Sequence, residues 1–109
     1  MDSIKIAELP EIELASGVKA RVITAGTFTV MHVRLSQGAD VPEHSHFHEQ
    51  VANVIEGELH LTVSGKKFPL TPGMSYILPP NIPHSAHAAK TTYVVDVFHP
   101  VREDLAKRK

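Results

Sequence analysis

The sequence contains no cysteine, which excludes a disulfide framework and any thiolate metal site. It has no excess of charge of one sign, since 11 Lys and Arg against 12 Asp and Glu leave a net charge of −1 with histidine neutral. That balance carries neither the basic footprint of a nucleic-acid binder nor an acidic solvating tail. Lys107, Arg108 and Lys109 form a short basic end, read as a solvated tail. No apolar run approaches the ~20 residues of a membrane span. The opening MDSIKIAELP carries acidic residues and lacks the apolar segment of a signal peptide. The expectation is a cytoplasmic protein with no nucleic acid and no membrane among its partners. Internal repeats, low-complexity tracts and any long 3.6-residue periodicity are missing too.

What is present is a series of short, β-branched-rich runs punctuated by glycine and proline. VKARVITAG (18–26) and TFTVMHVRL (27–35) predict a hairpin turning near Ala25 and Gly26. VANVIEG (51–57) and ELHLTVSG (58–65) predict two strands hinged on Gly57, with Leu59, Leu61 and Val63 on one face. Ser64-Gly65-Lys66 and Thr71-Pro72-Gly73 read as turns. SYILPP (75–80), PHSAHAA (83–89) and TTYVVDVF (91–98) complete the strands, and only VREDLAKRK at the end looks helical. At 109 residues the chain makes one domain, and about ten short strands at regular turn spacing predict an all-β sandwich or barrel. Residues 1–16, interrupted by Pro10, form an N-terminal arm or edge strand ahead of a domain over 17–109.

The chain is organised around GADVPEHSHFHEQVANVIEG (38–57). His44, His46, His48 and Gln50 fall at every second position, which in an extended strand would set them on one face. Clustered neutral imidazoles suit ions of the Zn, Fe, Ni, Cu and Mn type. Pro79-Pro80-Asn81-Ile82-Pro83-His84 adds another histidine after a proline-stiffened turn. Three imidazoles and one amide oxygen would leave open positions on an octahedral-type ion whose full charge no ligand neutralises, favouring a Lewis-acid role. His48 is read either as a contact of the ligand sphere or the substrate, or as a residue behind the site or facing solvent. His32 and His60 are read as face or core residues, His87 as a non-ligand of opposite parity, His99 as a bend residue, and Met31 and Tyr76 as barrel filling.

These two blocks resemble the cupin motifs. Gly38, His44, His46, Gln50 and Gly57 match G-x5-H-x-H-x3-(E/Q)-x6-G, and Gly73, Pro79 and His84 match the second block. Asn81 stands where that block has glycine, a residue that also tolerates left-handed backbone, and Ala88 stands where it has asparagine. The resemblance spans residues 17–98. It implies a jelly-roll β-barrel, the double-stranded β-helix, with a divalent transition metal in its mouth held by His44, His46, Gln50 and His84. The ion could be Ni, Fe, Mn, Co or Zn. Small cupins pair through edge strands, so a homodimer is expected, with residues 1–16 contributing.

The C-terminal run VVDVFHPVREDL places Asp96 and Phe98 on one strand face, with Arg102 beyond Pro100. Asp96 either faces solvent or pairs with Arg102, or it is an acid/base beside the metal, with Phe98 as an apolar wall and Arg102 as a bidentate carboxylate clamp. This ending, joined to the His-His-Gln-His set, resembles the pectin degradation protein family of the KdgF type. The resemblance implies ring opening and ketonisation of 4,5-unsaturated monouronates released from pectin or alginate. Asp96 and Arg102 would be catalytic, and Phe98, Arg102 and Gln50 would contact the sugar acid. Residues 47–49 separate His46 from Gln50, one fewer than in that family. Two other classes stay open: a small cupin dioxygenase, since three imidazoles also hold Fe(II) or Cu(II), and a non-catalytic sugar- or effector-binding module.

Overall fold

The computed structural model describes residues 3–107, so Met1, Asp2, Arg108 and Lys109 lie outside the described residues, including most of the basic end. After a 3-10 turn at Ile6–Glu8 come the strands β1 (Ile12–Ala15), β2 (Val18–Thr24), β3 (Thr29–Leu35), β4 (Asp40–His44) and β5 (Glu49–Glu56). They are followed by β6 (Leu59–Val63), β7 (Lys66–Leu70), β8 (Ser75–Leu78), β9 (His84–Ala88), β10 (Thr92–His99) and the helix α1 (Glu103–Ala106). One sheet has the order β1-β2-β3-β10-β5-β8 and the other β4-β9-β6-β7, with every pair antiparallel. This is the jelly roll. No helix among the described residues is long and apolar enough to cross a membrane.

Period-two alternation makes both sheets. On β3 the buried residues are Thr29, Met31, Val33 and Leu35, and on β10 Thr92, Val94, Asp96 and Phe98, with partly or fully exposed residues between them. Leu59, Leu61 and Val63 on β6 face them from the second sheet, as their parity predicts. The 18–35 hairpin forms with its turn closed by Ala25 N–H to Phe28 carbonyl at 3.0 Å. Ser64 and Gly65 take φ of 47° and 82° at the β6–β7 turn. β1 pairs with β2 at the edge of the larger sheet and buries Ile12.

One expectation fails in its geometry. Residues 38–57 do not contain a histidine strand, because residues 45–48 leave extended structure between β4 and β5. His44 ends one strand in one sheet and Gln50 lies on a strand of the other. The His46 and His48 side chains therefore point by loop geometry rather than by parity.

Gly57 shows how close the turns are. At φ of 87° its Cα faces the Thr91–Thr92 backbone, and an added Cβ would lie 2.3 Å from Thr91 O and 2.6 Å from Thr92 Oγ1. The same Thr92 hydroxyl donates to Lys90 O at 2.7 Å and accepts from Glu58 N–H at 3.2 Å. We expect Gly57→Ala to destabilise the fold by at least about 2 kcal/mol, from strained φ and steric overlap together. Urea unfolding followed by circular dichroism checks this; a loss under 0.5 kcal/mol would show that the turn can relax.

Candidate metal centre and active site

His44 and His84 are cross-strand partners in the β4–β9 ladder, which brings their ring centroids to 4.3 Å. His44 Nδ1–H donates to Pro42 O and His84 Nδ1–H to Ile82 O, each at 2.8 Å. A carbonyl only accepts, so both rings are held with Nε2 as the lone-pair nitrogen. His84 Nε2 is buried and has no partner. His46 joins them from the loop, which is tied to the second block by Asn81 N–H donating to His46 O at 2.7 Å. Asn81 takes φ of 64° there, the left-handed backbone its place in the motif asks for.

One nitrogen from each of His44, His46 and His84 lies within 4.8 Å of the others. Such a set, two rings oriented by backbone carbonyls and one carrying a buried orphan nitrogen, fits a divalent transition metal. Gln50 faces inward from β5, with its Oε1 3.2 Å from His46 Nε2. That contact sets the amide oxygen beside the three-histidine group. Burial, followed by the charges of Arg102, His84 and His44, lowers the His46 pKa to about 4. Its lone pair is available at neutral pH.

The other end of the Gln50 amide reaches Asp96, with Nε2 donating to Oδ1 at 3.0 Å. Asp96 is neither on the solvent face nor hydrogen-bonded to Arg102: it sits inward on β10 between Met31 and Ala52. Burial raises its pKa to about 7, against the opposing effects of the Gln50 hydrogen bond and the Arg102 charge. Phe98 is 2% exposed and presents its ring to His46 at 5.6 Å and 71°. The guanidinium of Arg102 stacks on Phe98 at 4.7 Å. A cavity of about 330 Å³ joins these groups, at the small end of ligand sites. His44, His84, Gln50, Asp96 and Arg102 sit against apolar walls that include Met31, Val33, Leu59 and Leu61.

One sequence reading changes, and one alternative for His48 is selected. Arg102 does not present a bidentate edge to the cavity, because Nε and Nη2 hold the Asp104 carboxylate at 3.0 and 2.8 Å. His48 stands apart from the three-histidine group; it is 5% exposed, stacked on Phe47 at 4.0 Å and edge-on to His46. Sequence reasoning missed Asp104 and Leu105, which lines the cavity from α1. The signal for Asp104 was its place two residues after an arginine in the first turn of a helix. His32, His60 and His87 lie away from the site, bonded to Tyr93, Glu58 and Asp40.

Two outcomes follow from this geometry. His44→Ala, His46→Ala and His84→Ala should each lower bound metal substantially by elemental analysis, and Gln50→Ala less, since water replaces a neutral oxygen. Wild-type metal content in all three histidine variants would move the site elsewhere. In chelator-treated protein, Asp96 binds a proton in the folded state between its ordinary value of 3.8 and about 7, where the unfolded chain has released it. Folded protein thus holds more protons than unfolded across that window, and the contribution of Asp96 to stability falls as pH rises through it. Asp96→Asn mimics the neutral acid, so it should match wild type near pH 4 and exceed it at pH 8, by up to about 4 kcal/mol. Equal pH slopes in urea unfolding would contradict the raised pKa.

Comparison with known proteins gives the family. The cupin domain family matches residues 31–98. The pectin degradation protein KdgF of Dickeya dadantii (strain 3937) is 30% identical over 100 residues, covering 89% of this chain and 91% of that one. H2HPP isomerase of Bacillus subtilis is 34% identical over 74 residues, which span 66% of this chain and 31% of the relative. The structure of KdgF from Halomonas sp. superposes with a TM-score of 0.84 at 25% identity, over 91% of this chain and 93% of that one. The chain therefore belongs to the cupin family, and among cupins it is similar in sequence and fold to the pectin degradation protein KdgF.

Proposed function

We propose that the protein is a metal-dependent isomerase of 4,5-unsaturated monouronates, opening the pyranose ring and ketonising the enol that results. The observation that carries this reading is one buried carboxyl group, Asp96, poised near neutral pH and joined through Gln50 to three histidines. Likeness to the pectin degradation protein KdgF supports the substrate class, and likeness to H2HPP isomerase supports an isomerisation.

Ring opening removes the proton of the anomeric hydroxyl as the bond from C1 to the ring oxygen breaks. Ketonisation of the enol then places a proton on C4. One proton leaves and one arrives, so a single group with a pKa near the working pH can serve both steps. Asp96 is that group, kept near neutral by the apolar cavity wall. When bound, the divalent ion supplies Lewis-acid polarisation of a substrate oxygen. His44, His46 and His84, with Gln50 Oε1, would hold it. Gln50 also holds Asp96 at a fixed distance from that centre, and Phe98 shields the group from water. Arg102 gives positive charge for the uronate carboxylate, its guanidinium plane fixed by Asp104 and the Phe98 ring.

Loss of the absorbance of the conjugated C4=C5 uronate measures turnover. Asp96→Asn should keep metal and fold while losing about 10²–10⁴-fold in rate. Arg102→Lys keeps the charge but loses the paired bonds to Asp104 that fix its position, so its defect should fall mainly on KM. Wild-type turnover in Asp96→Asn removes Asp96 as the shuttle. No acceleration over buffer by wild type removes the uronate reading, and oxygen uptake with an aromatic or diketone substrate would replace it with an oxygenase.

A further inference from the structure

The outer face of the six-stranded sheet carries a second cavity, away from the barrel interior. It holds about 290 Å³ and is lined by Glu11, Lys19, Arg21, His32, Arg34 and Tyr93. Strand register sets these residues in a block. On the β2–β3 pair Lys19 lies directly across from Arg34 and Arg21 from His32, and Tyr93 of β10 lies across from Arg34. Ile6 and Ala7 of the N-terminal segment add an apolar wall. Arg21 holds that segment there, its Nη1 donating to Ala7 O at 2.6 Å and to Leu9 O at 2.8 Å.

The block is charged against itself. Like charges directly opposite on neighbouring strands repel, yet Lys19 and Arg34 form such a pair, with Arg21 next on the same face of β2. One lining carboxylate answers three cations: Glu11 lies 3.9 Å from Lys19 Nζ and 3.4 Å from Arg21 Nη2. Arg34 has no ion pair among the described residues. Its guanidinium lies 4.5 Å over the Tyr93 ring, whose hydroxyl is bonded to His32 Nδ1. Glu13 and Glu56 stand across from Lys19 and Tyr93 but do not line the cavity. Among the lining residues, two positive charges are left over.

We propose that this cavity binds a phosphoryl dianion between Lys19 and Arg34. One compact group with two negative charges matches the excess, and it reaches both side chains, since cross-strand Cβ atoms lie about 5 Å apart. Arginine supplies paired N–H donors to its oxygens and lysine a point charge. Arg21, committed to the N-terminal segment and to Glu11, fixes the wall rather than the ligand. The apolar wall of Ile6 and Ala7 leaves room for an organic body, so the phosphoryl group can belong to an ester or be free phosphate. Tyr93 links this site to β10, the strand that carries Asp96 on its other face. An anion that holds Arg34 against Tyr93 braces β2, β3 and β10 together. The site stands apart from the chemistry proposed inside the barrel and does not depend on it.

Isothermal titration calorimetry of the metal-loaded full chain tests this, with inorganic phosphate and with glycerol 3-phosphate at fixed ionic strength. The pH is held near 8, where both probes are dianions. Wild type should bind one equivalent, with a dissociation constant of about 1 mM or below that rises with added chloride. Arg34→Gln should weaken binding about tenfold, the loss of a charge-assisted pair, and Lys19→Gln by a smaller factor. Both side chains are exposed, so the fold persists, as circular dichroism reports. His84→Ala, which disables the inner metal centre, should bind the anion as wild type does. Tighter binding of glycerol 3-phosphate makes the ligand an ester, and equal or tighter binding of inorganic phosphate makes it the free ion; either supports the site. Absence of saturable heat from both anions in wild type overturns the proposal. Wild-type affinity in folded Arg34→Gln or Lys19→Gln overturns it as well, as does loss of binding in His84→Ala, which would put the anion on the metal.

Discussion

Strand β10 sits in the middle of the larger sheet, and its strict alternation is the constraint on which the rest depends. Thr92, Val94, Asp96 and Phe98 point into the barrel, and Tyr93, Val95 and Val97 point out. The first set closes a turn against Gly57, fills the core and supplies the buried carboxyl and the ring beside His46. Because β10 is hydrogen-bonded to β3 on one side and β5 on the other, both neighbours inherit its parity. Gln50 is inward for that reason, and so are Met31 and Ala52 around Asp96.

Placing a carboxyl group in that interior is costly, and the local chemistry decides the form in which the cost is met. Asp96 receives one hydrogen bond, from an amide that carries no charge. A neutral donor cannot offset desolvation of an anion, so the group's pKa rises. Had Arg102 reached it directly, an ion pair would have lowered the pKa instead. Asp104 prevents this by occupying two nitrogens of the guanidinium, and it is itself held well ionised by that contact. The arginine therefore contributes charge at a distance while its geometry is set outside the cavity.

Much of this was legible in the sequence, and what was not has physical causes. Strand positions came from alternation and from turn residues, so Leu59, Leu61 and Val63, the 18–35 hairpin and the glycine turns could be placed without coordinates. Spacing brought His84 to the same site as His44, because the motif encodes a β4–β9 pairing. Alternation alone misread 44–50: the same spacing that would align four side chains on a strand also fits a chain that leaves one sheet and enters another. Only hydrogen bonds outside the segment, such as Asn81 to His46, decide between them. The Arg102–Asp104 pair was hidden for a related reason. Side chains two apart do not share a helix face, and these two meet because Arg102 precedes α1 in extended backbone.

The parity of β10 also makes the site intolerant of slippage. A shift of one residue would turn Asp96 outward and bring Val97 inward, exchanging a carboxyl group for a methyl-lined wall. What opposes that shift is the fit on both faces at once. Inside, Phe98 fills a fully packed position and Thr92 must meet the Glu58 turn. Outside, His32 bonds the Tyr93 hydroxyl and Arg34 stacks on its ring, while Asn53 donates to the Val95 carbonyl. Polar contacts made by the outward residues thus fix the register that positions the inward carboxyl. The outward face thus holds in place the one that carries the buried carboxyl.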